Sequence, residues 1–502
     1  MHTAGPRIAV IGGGFSGLMC AIHLLLKSRP EAPRIYLIEQ NRAFGLGAAY
    51  ATASGRHLLN TCAANMSVFP EDPDHFVNWL RARPEMAMLN GASFVTRRTY
   101  GNYLRSISRD IACSERAAGR LYLVADGATV LRRAGERFAV RLGIGKDLLV
   151  NAVVLATGNL APHQPAIAEA EFFDSARYIS DPWRPEAFAA VEPDDTILML
   201  GTGLTMVDVA LLLRSQGHRG PLIAMSRRGA VPRTHASAGR APNIIVPQLS
   251  PRLSEAVRAV REAEARGGTW QHVMDALRPT VSQYWQGLAP EAKRRFLRHL
   301  RPWWDVHRHR LAPEVSRRLN TLLRDGDLTI CRGRLVGVSS EATVDGFPAS
   351  AQWRPVGDTL VYRMGSHVIV NCMGPGGDPM RSSSPLFQSL LASGLARPDP
   401  LRLGLDVDRA GRLISRGGEV DCRLFALGPP TRARRLHGLT PGARCRRASG
   451  WASAGPRWSR PKWLRPMPGS ARWSTTLRIS CAPTSWCSAF SQSVSWLTRW
   501  KC

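Results

Sequence analysis

Apolar and polar positions along the first forty residues predict strand, loop, helix and strand. "RIAVIGGG" opens as an unbroken apolar run, "FSGLMCAIHLLLKS" carries apolar residues at helical spacing, and "RIYLIEQ" returns to a short apolar run. A second unit of the same kind, "ILMLGTGLTMVDVALLL", occupies residues 197–213 and is followed by a strand at "PLIAMSRRG". Between the two, residues 56–110 read as loop and then helix. "LYLVADGATVLRRAGERFAVRLGIGKDLLVNAVVLATG" reads as antiparallel strands ending in a buried strand at 150–156, and "DPWRPEAF" as a linker. Residues 250–325 are rich in Ala, Leu, Arg and Glu at helical spacing. Strands return at 328–337 and 359–372, and "RLFALG", 423–428, is the last element expected.

The pattern predicts an α/β fold with two Rossmann-like dinucleotide-binding domains, each three-layered, and a helical insertion in the second. The expected boundaries are 1–190 for the first part of one domain and 191–372 for the other, with its insertion at 250–325. Residues 373–430 follow, and 431–502 form a basic tail. A chain of 502 residues exceeds what one core organises, which agrees with this division. No apolar run reaches the roughly 20 residues of a membrane helix, and the N-terminus lacks a basic segment ahead of a cleavable apolar one, so a cytoplasmic location is expected. The ten cysteines include no CxxC pair, so no disulfide, metal site or redox pair is expected.

A net charge of +29 would ordinarily suggest a nucleic-acid or anionic-membrane partner. Its distribution argues for neither, because Thr431–Cys502 holds 14 Lys and Arg and no Asp or Glu, about half the excess. That stretch also holds 7 of the 14 tryptophans and 4 of the 10 cysteines without a structural period. Its composition resembles a GC-rich gene read out of frame more than a basic disordered tail, which seldom carries so many Trp residues. The expected partner is a small-molecule substrate.

In "GGGFSG", Gly12, Gly14 and Gly17 fit G-x-G-x-x-G, with Ser16 inside the motif. The first glycine permits the tight turn, the second lets the backbone approach a pyrophosphate at the helix N-terminus, and the third lets helix and strand pack closely. Glu39 ends the next strand, where an acid can bind ribose hydroxyls. "LGTGLTM" keeps Gly201 and Gly203, followed by Thr205, but places Met206 at the third glycine position. The strand after it ends in Arg227 and Arg228, not in an acid, which favours a ribose phosphate and hence NADPH over NADH. A solvated arginine pair is the plainer reading of those two residues. "VVLATGN" is a buried strand whose Thr157 and Gly158 let the chain turn close to a flat or phosphorylated group.

Together these motifs resemble the two-dinucleotide-binding flavoprotein superfamily, which includes flavin-containing and N-hydroxylating monooxygenases and disulfide reductases. Within it, "GLGAAYAT", "HLLNTCAANMSVFPEDPDHFVNWL", "GTGLTMVDVALLL" and "WWDVHRHRLAP" are similar to bacterial FAD/NAD(P)-binding proteins of largely unassigned activity. The resemblance implies an FAD domain interrupted by an NADPH domain and resumed at 373–430, and places Gly47, Asn60 and Met66 near the flavin. Two departures stand out. Related monooxygenases carry F-x-G-x-x-x-H-x-x-x-W ahead of the second loop, and "FDSARYISDPW" keeps Phe173 and Trp183 but has Ser175 and Ile179 at the Gly and His positions. Relatives also continue after "LFALGPPTR" with a helix under the flavin, where this chain enters its anomalous tail.

Cys62 stands alone in "NTCAANMS", a packing residue rather than half of a redox pair. In "DVHRHR", His307 and His309 would face different sides of a helix, against a shared metal site. Either one histidine and one arginine reach a polar or anionic substrate, or the segment is a basic helix face over tryptophans. The implied activity is an FAD-dependent oxidoreductase taking hydride from NADPH and passing electrons to oxygen or a small organic acceptor, with monooxygenases among its relatives. The competing expectation is a flavin-binding sensor or scaffold, or a product inactivated by its C-terminus. Anaerobic addition of NADPH to the yellow protein separates an enzyme from these alternatives.

Overall fold

The computed structural model describes residues 5–27, 33–52, 54–236, 244–267 and 269–434. The expectation for the tail from Thr431 thus falls, after its first four residues, outside the described residues. The strands are β1 (Arg7–Ile11), β2 (Arg34–Ile38), β3 (Leu121–Val124), β4 (Ala128–Ala134), β5 (Arg137–Leu142), β6 (Asp147–Val150), β7 (Ala152–Leu155) and β8 (Tyr178–Ile179). They continue as β9 (Ile197–Leu200), β10 (Leu222–Ser226), β11 (Leu328–Ser339), β12 (Ala349–Pro355), β13 (Tyr362–Ser366), β14 (Val368–Asn371), β15 (Arg412–Ile414) and β16 (Val420–Ala426).

The first sheet runs β15-β16-β7-β1-β2-β3, parallel except for β15. Its central strands are buried on both sides, which is why they read as continuous apolar runs. Helix Phe15–Lys27 and helix Arg97–Ala112 cover one face, packing Leu18, Ile22, Tyr100 and Leu104 against Ile8, Val10 and Val154. The antiparallel sheet β4-β5-β6 and helix Pro385–Ala392 cover the other. The second sheet runs β13-β12-β11-β10-β9-β14-β8, parallel from β11 to β8 and antiparallel at its β12-β13 end. Helices Leu204–Ser215 and Pro313–Arg324 bury Met206, Val207, Leu319 and Leu322 on one of its faces.

Several elements differ from the sequence expectation. Leu121–Val124 is not antiparallel to its successors but the parallel edge of the first sheet. Strand β12 arises where none was expected, and 359–372 divides at His367 into β13, one edge of the second sheet, and β14, which lies between β9 and β8 near the other. β8 already pairs with β14, so the second sheet begins upstream of residue 190. The helical insertion is present, but its last helix, Pro313–Arg324, is the crossover of the second sheet; the insertion proper comprises Leu253–Ala265, Trp270–Gly287 and the helices through Arg308.

Candidate functional site

At the mouth of the first unit, Gly12 has φ +100°, and a β-carbon there would overlap the Ala156 carbonyl oxygen. A β-carbon on Gly17 would overlap the Gly12 carbonyl, so the third glycine sets how closely helix and loop approach. Gly14 faces Gly47, whose Cα would lie 3.3 Å from a β-carbon on Gly14. The "GLGAAY" loop thus sits against the glycine loop, held by the Gly45 amide donating to the Gly13 carbonyl at 2.6 Å. Glu39 accepts from the Gly13 amide at 2.9 Å and the Asn41 amide at 3.1 Å, bracing the loop as well as standing at the end of β2. Ser16 lies half-buried in the first turn of helix Phe15–Lys27, which contains no acid to oppose an anion.

The second unit repeats the first. Gly201 has φ +117°, and a β-carbon on it would overlap the carbonyl of Cys372, the residue after β14, as Gly12 meets Ala156 after β7. Gly203 opens the helix in free space, with no atom within 4 Å of where a β-carbon would stand, and Thr205 is half-buried beside it. Arg227 is exposed, whereas Arg228 leans toward the insertion, its guanidinium 6.0 Å from the Trp303 ring centre and 3.4 Å from the Arg298 carbonyl. The two arginines are therefore inequivalent.

A cavity of 410 Å³ lies where the two units and the insertion meet. Tyr50, Asn60, Met66 and Arg97 come from the first unit, Met373 follows β14, and Arg301, Asp305 and His309 come from one face of the insertion, with Arg432 opposite. The spacing 301, 305, 309 is one helical stripe. Helix Arg301–Arg308 ends there because the following segment pairs instead with the chain after β10, the Leu311 amide donating to the Arg233 carbonyl at 2.8 Å. Thr157 and Gly158 flank the cavity at Asn159; the Thr157 hydroxyl is buried without a hydrogen-bond partner, and Gly158 has φ +75° with open space around it. An orphaned hydroxyl and an open positive-φ glycine after β7, next to the Gly12 turn that leads into a helix N-terminus, suit a dinucleotide cofactor.

Burial dominates the electrostatics of this cavity. It lowers His309 to about 3, helped by Arg308, Arg432 and Arg301, so the imidazole is neutral at physiological pH. It raises the Asp305 carboxyl, an effect that Arg301 at 3.4 Å counteracts. It pushes the Tyr50 phenol up to about 12 and raises the Cys62 thiol, whose sulfur accepts from the Asn65 amide group at 3.2 Å. The site thus combines guanidinium groups, a neutral imidazole and a carboxyl reluctant to ionise, a set that can hold an anion and exchange a proton. His235 bridges the units, its Nε2 2.9 Å from the Asn60 carbonyl, and burial lowers it to about 4.

His235 and His309 make stability pH-dependent. Both are depressed below the free imidazole, so their contribution is complete above about pH 6.5 and is lost as pH falls toward about 4 and about 3. Urea midpoints should therefore drop between pH 7 and pH 5, by on the order of 1–3 kcal/mol in unfolding free energy, and His235→Gln should flatten that slope. A midpoint unchanged over this range contradicts the assignment.

Of the residues expected from the sequence, Asn60, Met66 and His309 line the cavity, while the glycine loops lie outside its lining. Tyr50, Arg97, Asn159 and Arg432 line it without having been singled out; the stripe Arg301, Asp305, His309 carries a signal in its four-residue spacing. His307 and His309 do face different ways, and among the described residues no cluster of His, Cys, Asp and Glu could hold a metal. No described helix is long and apolar enough to cross a membrane.

This fold and site define an α/β protein of two strand, glycine-loop and helix units. Residues 9–160 match the FAD-NAD(P)-binding family. No curated protein matches the chain by sequence. Similar solved structures include the ornithine N-hydroxylase of Kutzneria sp. 744, solved with reduced FAD, NADP+ and L-ornithine, at TM-score 0.60 and 15% identity, covering 87% of this chain and 95% of that one. The L-lysine 6-monooxygenase of Pseudomonas syringae has TM-score 0.55 and 18% identity over 84% and 92%. The FAD-bound cadaverine monooxygenase of Erwinia amylovora has TM-score 0.57 and 13% identity over 91% and 100%. At these identities the likeness is one of fold, and it extends over nearly the whole of each relative.

Proposed function

We propose that the chain is an FAD-dependent oxidoreductase that takes hydride from NADPH and passes electrons to oxygen or a small organic acceptor. The observation that carries this reading is the pair of strand, glycine-loop and helix units, each with a positive-φ glycine closed against a neighbouring strand end, and the cavity lined by residues that follow β7 and β14, the strands those glycines meet. FAD would be held by Gly12, Gly14, Ser16, Gly17, Glu39, Gly47, Asn60, Met66, Thr157 and Gly158, and NADPH by Gly201, Gly203, Thr205, Arg227 and Arg228. The flavin, when bound, supplies the redox chemistry. The protein's own part is to position donor and acceptor, and to present Arg301, Arg432 and neutral His309 to a small polar substrate. The partners on this reading are small molecules and not nucleic acid or membrane, and its place is the cytoplasm.

Monooxygenation is supported by the fold of the N-hydroxylating relatives, while Ser175 and Ile179 stand where related monooxygenases carry Gly and His. The deciding experiment is anaerobic titration with NADPH followed by oxygen. Bleaching of the flavin, then recolouring in air, supports the proposal, and a flavin spectrum indifferent to NADPH refutes it.

The donor preference has its own test. Arg227, being exposed and free to reach a ribose phosphate, should contribute more than Arg228, which is engaged with the insertion. Arg227→Ala is expected to weaken NADPH binding about ten- to a hundredfold, the value of roughly 1.5–3 kcal/mol for a charge-assisted contact, and to leave NADH almost unaffected. Wild-type protein equally efficient with both donors would overturn the preference.

A further inference from the structure

Helix Arg301–Arg308 and the π-turn Phe296–Leu300 before it have two working faces. Leu297, Arg301, Asp305 and His309 line the cleft described above, while Phe296, His299, Leu300, Trp303, Trp304 and His307 line a separate hollow of 550 Å³. The wide π-turn re-phases the side chains just where one stripe must serve two cavities, a place where such turns recur at functional sites. The hollow lies inside the insertion, between helices Leu253–Ala265 and Trp270–Gly287 and this pair. Its deep wall is true interior: Val273, Leu277 and Trp285 are each at most 1% exposed.

We propose that this hollow is a binding site for a small amphipathic carboxylic acid, its apolar chain inside and its carboxylate at the rim. The volume falls in the range of small-molecule sites, and the lining is apolar and aromatic with few polar groups, as such sites require. Charge selects the acid. The charged residues on the lining are Arg261 and the single acid Glu264, with Tyr284, His299 and His307 as further polar groups, so the helices around the hollow set the balance. Residues 251–310 as a whole carry twelve Lys and Arg against six Asp and Glu. A cationic amphiphile would meet repulsion there. Because the wall helix also carries Arg301, Asp305 and His309, occupancy should be felt in the cleft, as an effector or as a substrate tail reaching toward it.

The site can be tested without reference to flavin, since Trp270, Trp285, Trp303 and Trp304 surround it. Dodecanoate is expected to change the tryptophan fluorescence of the full chain saturably, with at least tenfold tighter binding than dodecylamine. Val260→Trp, which fills the hollow, should abolish the response. Arg261→Gln, at an exposed position that the fold does not need, should remove the preference for the acid while keeping binding of dodecanol. Absence of saturable binding, equal affinity for acid and amine, or an unaltered preference in Arg261→Gln would each overturn the proposal. NADPH oxidation measured with and without dodecanoate reports the coupling; a response there that persists in Val260→Trp places the acid elsewhere.

Discussion

Gly12→Ala is expected to yield a protein that holds almost no flavin and is less stable by about 2–6 kcal/mol, the sum of a backbone forced to adopt φ +100° with a side chain and an overpacked contact. The added carbon would overlap the Ala156 carbonyl at the end of β7, and backbone cannot step aside there without breaking the β1-β7 pairing. Gly201→Ala repeats the same clash against Cys372 in the second unit. It should keep its flavin and lose reduction by NADPH. Gly203→Ala is a control for the fold alone, because its site has room and an ordinary backbone angle, so its urea midpoint should match the wild type even where the added carbon hinders NADPH. Flavin absorbance per chain and a urea midpoint suffice. Wild-type flavin content in Gly12→Ala, or a urea midpoint in Gly203→Ala lowered as far as in Gly201→Ala, would contradict this packing.

Asp275→Asn carries the second large effect. Both terminal guanidinium nitrogens of Arg310 donate to this carboxylate, and the Nε of Arg278 lies 3.1 Å from it. The Arg310 side chain is wholly buried and rests 5.6 Å from the Trp270 ring centre, so it cannot turn to water if the carboxylate is removed. Breaking such a pair from one side leaves a buried cation without its counter-charge. Because Asp275 is partly exposed, water screens the pair, and the cost should fall between the roughly 1 kcal/mol of an exposed pair and the roughly 3–5 kcal/mol of a buried one. Calorimetry and a denaturant midpoint would read it, and a loss below about 1 kcal/mol would mean that water or another acid takes over.

The parts of the molecule that could be read from the chain are those whose constraint is local. Gly12 and Gly201 are fixed by backbone angles, these two and Gly17 by carbonyls that no side chain can approach, and the runs "IAVI" and "ILML" by burial on both faces. Whether Leu121–Val124 lies parallel or antiparallel depends on β2, far earlier in the chain, and nothing in "LYLV" encodes it. The same holds for Arg97. Thr96 announces a helix by capping it through the Thr99 amide at 3.0 Å, but the partner that holds Arg97 at the cleft, Asp208 at 2.7 Å, belongs to the other unit. Arg432 was invisible for a different reason, since it lies next to the compositional break and its place beside the cleft follows from the turn at Pro429–Arg434.

The order of strands in the first sheet bears on how the protein is made. β7 has β1 on one side and β16 on the other, and β16 is synthesised about 270 residues later, which at ribosomal rates is on the order of tens of seconds. The second sheet, drawn wholly from 178–371, can close before that strand leaves the ribosome. The earliest-synthesised unit is thus the last to be completed, and until then β7 presents an unpaired apolar edge. Chaperone dependence should accordingly track events near residue 420 more than events near the N-terminus. A ribosome stalled before that point would display a finished second unit beside an unfinished first.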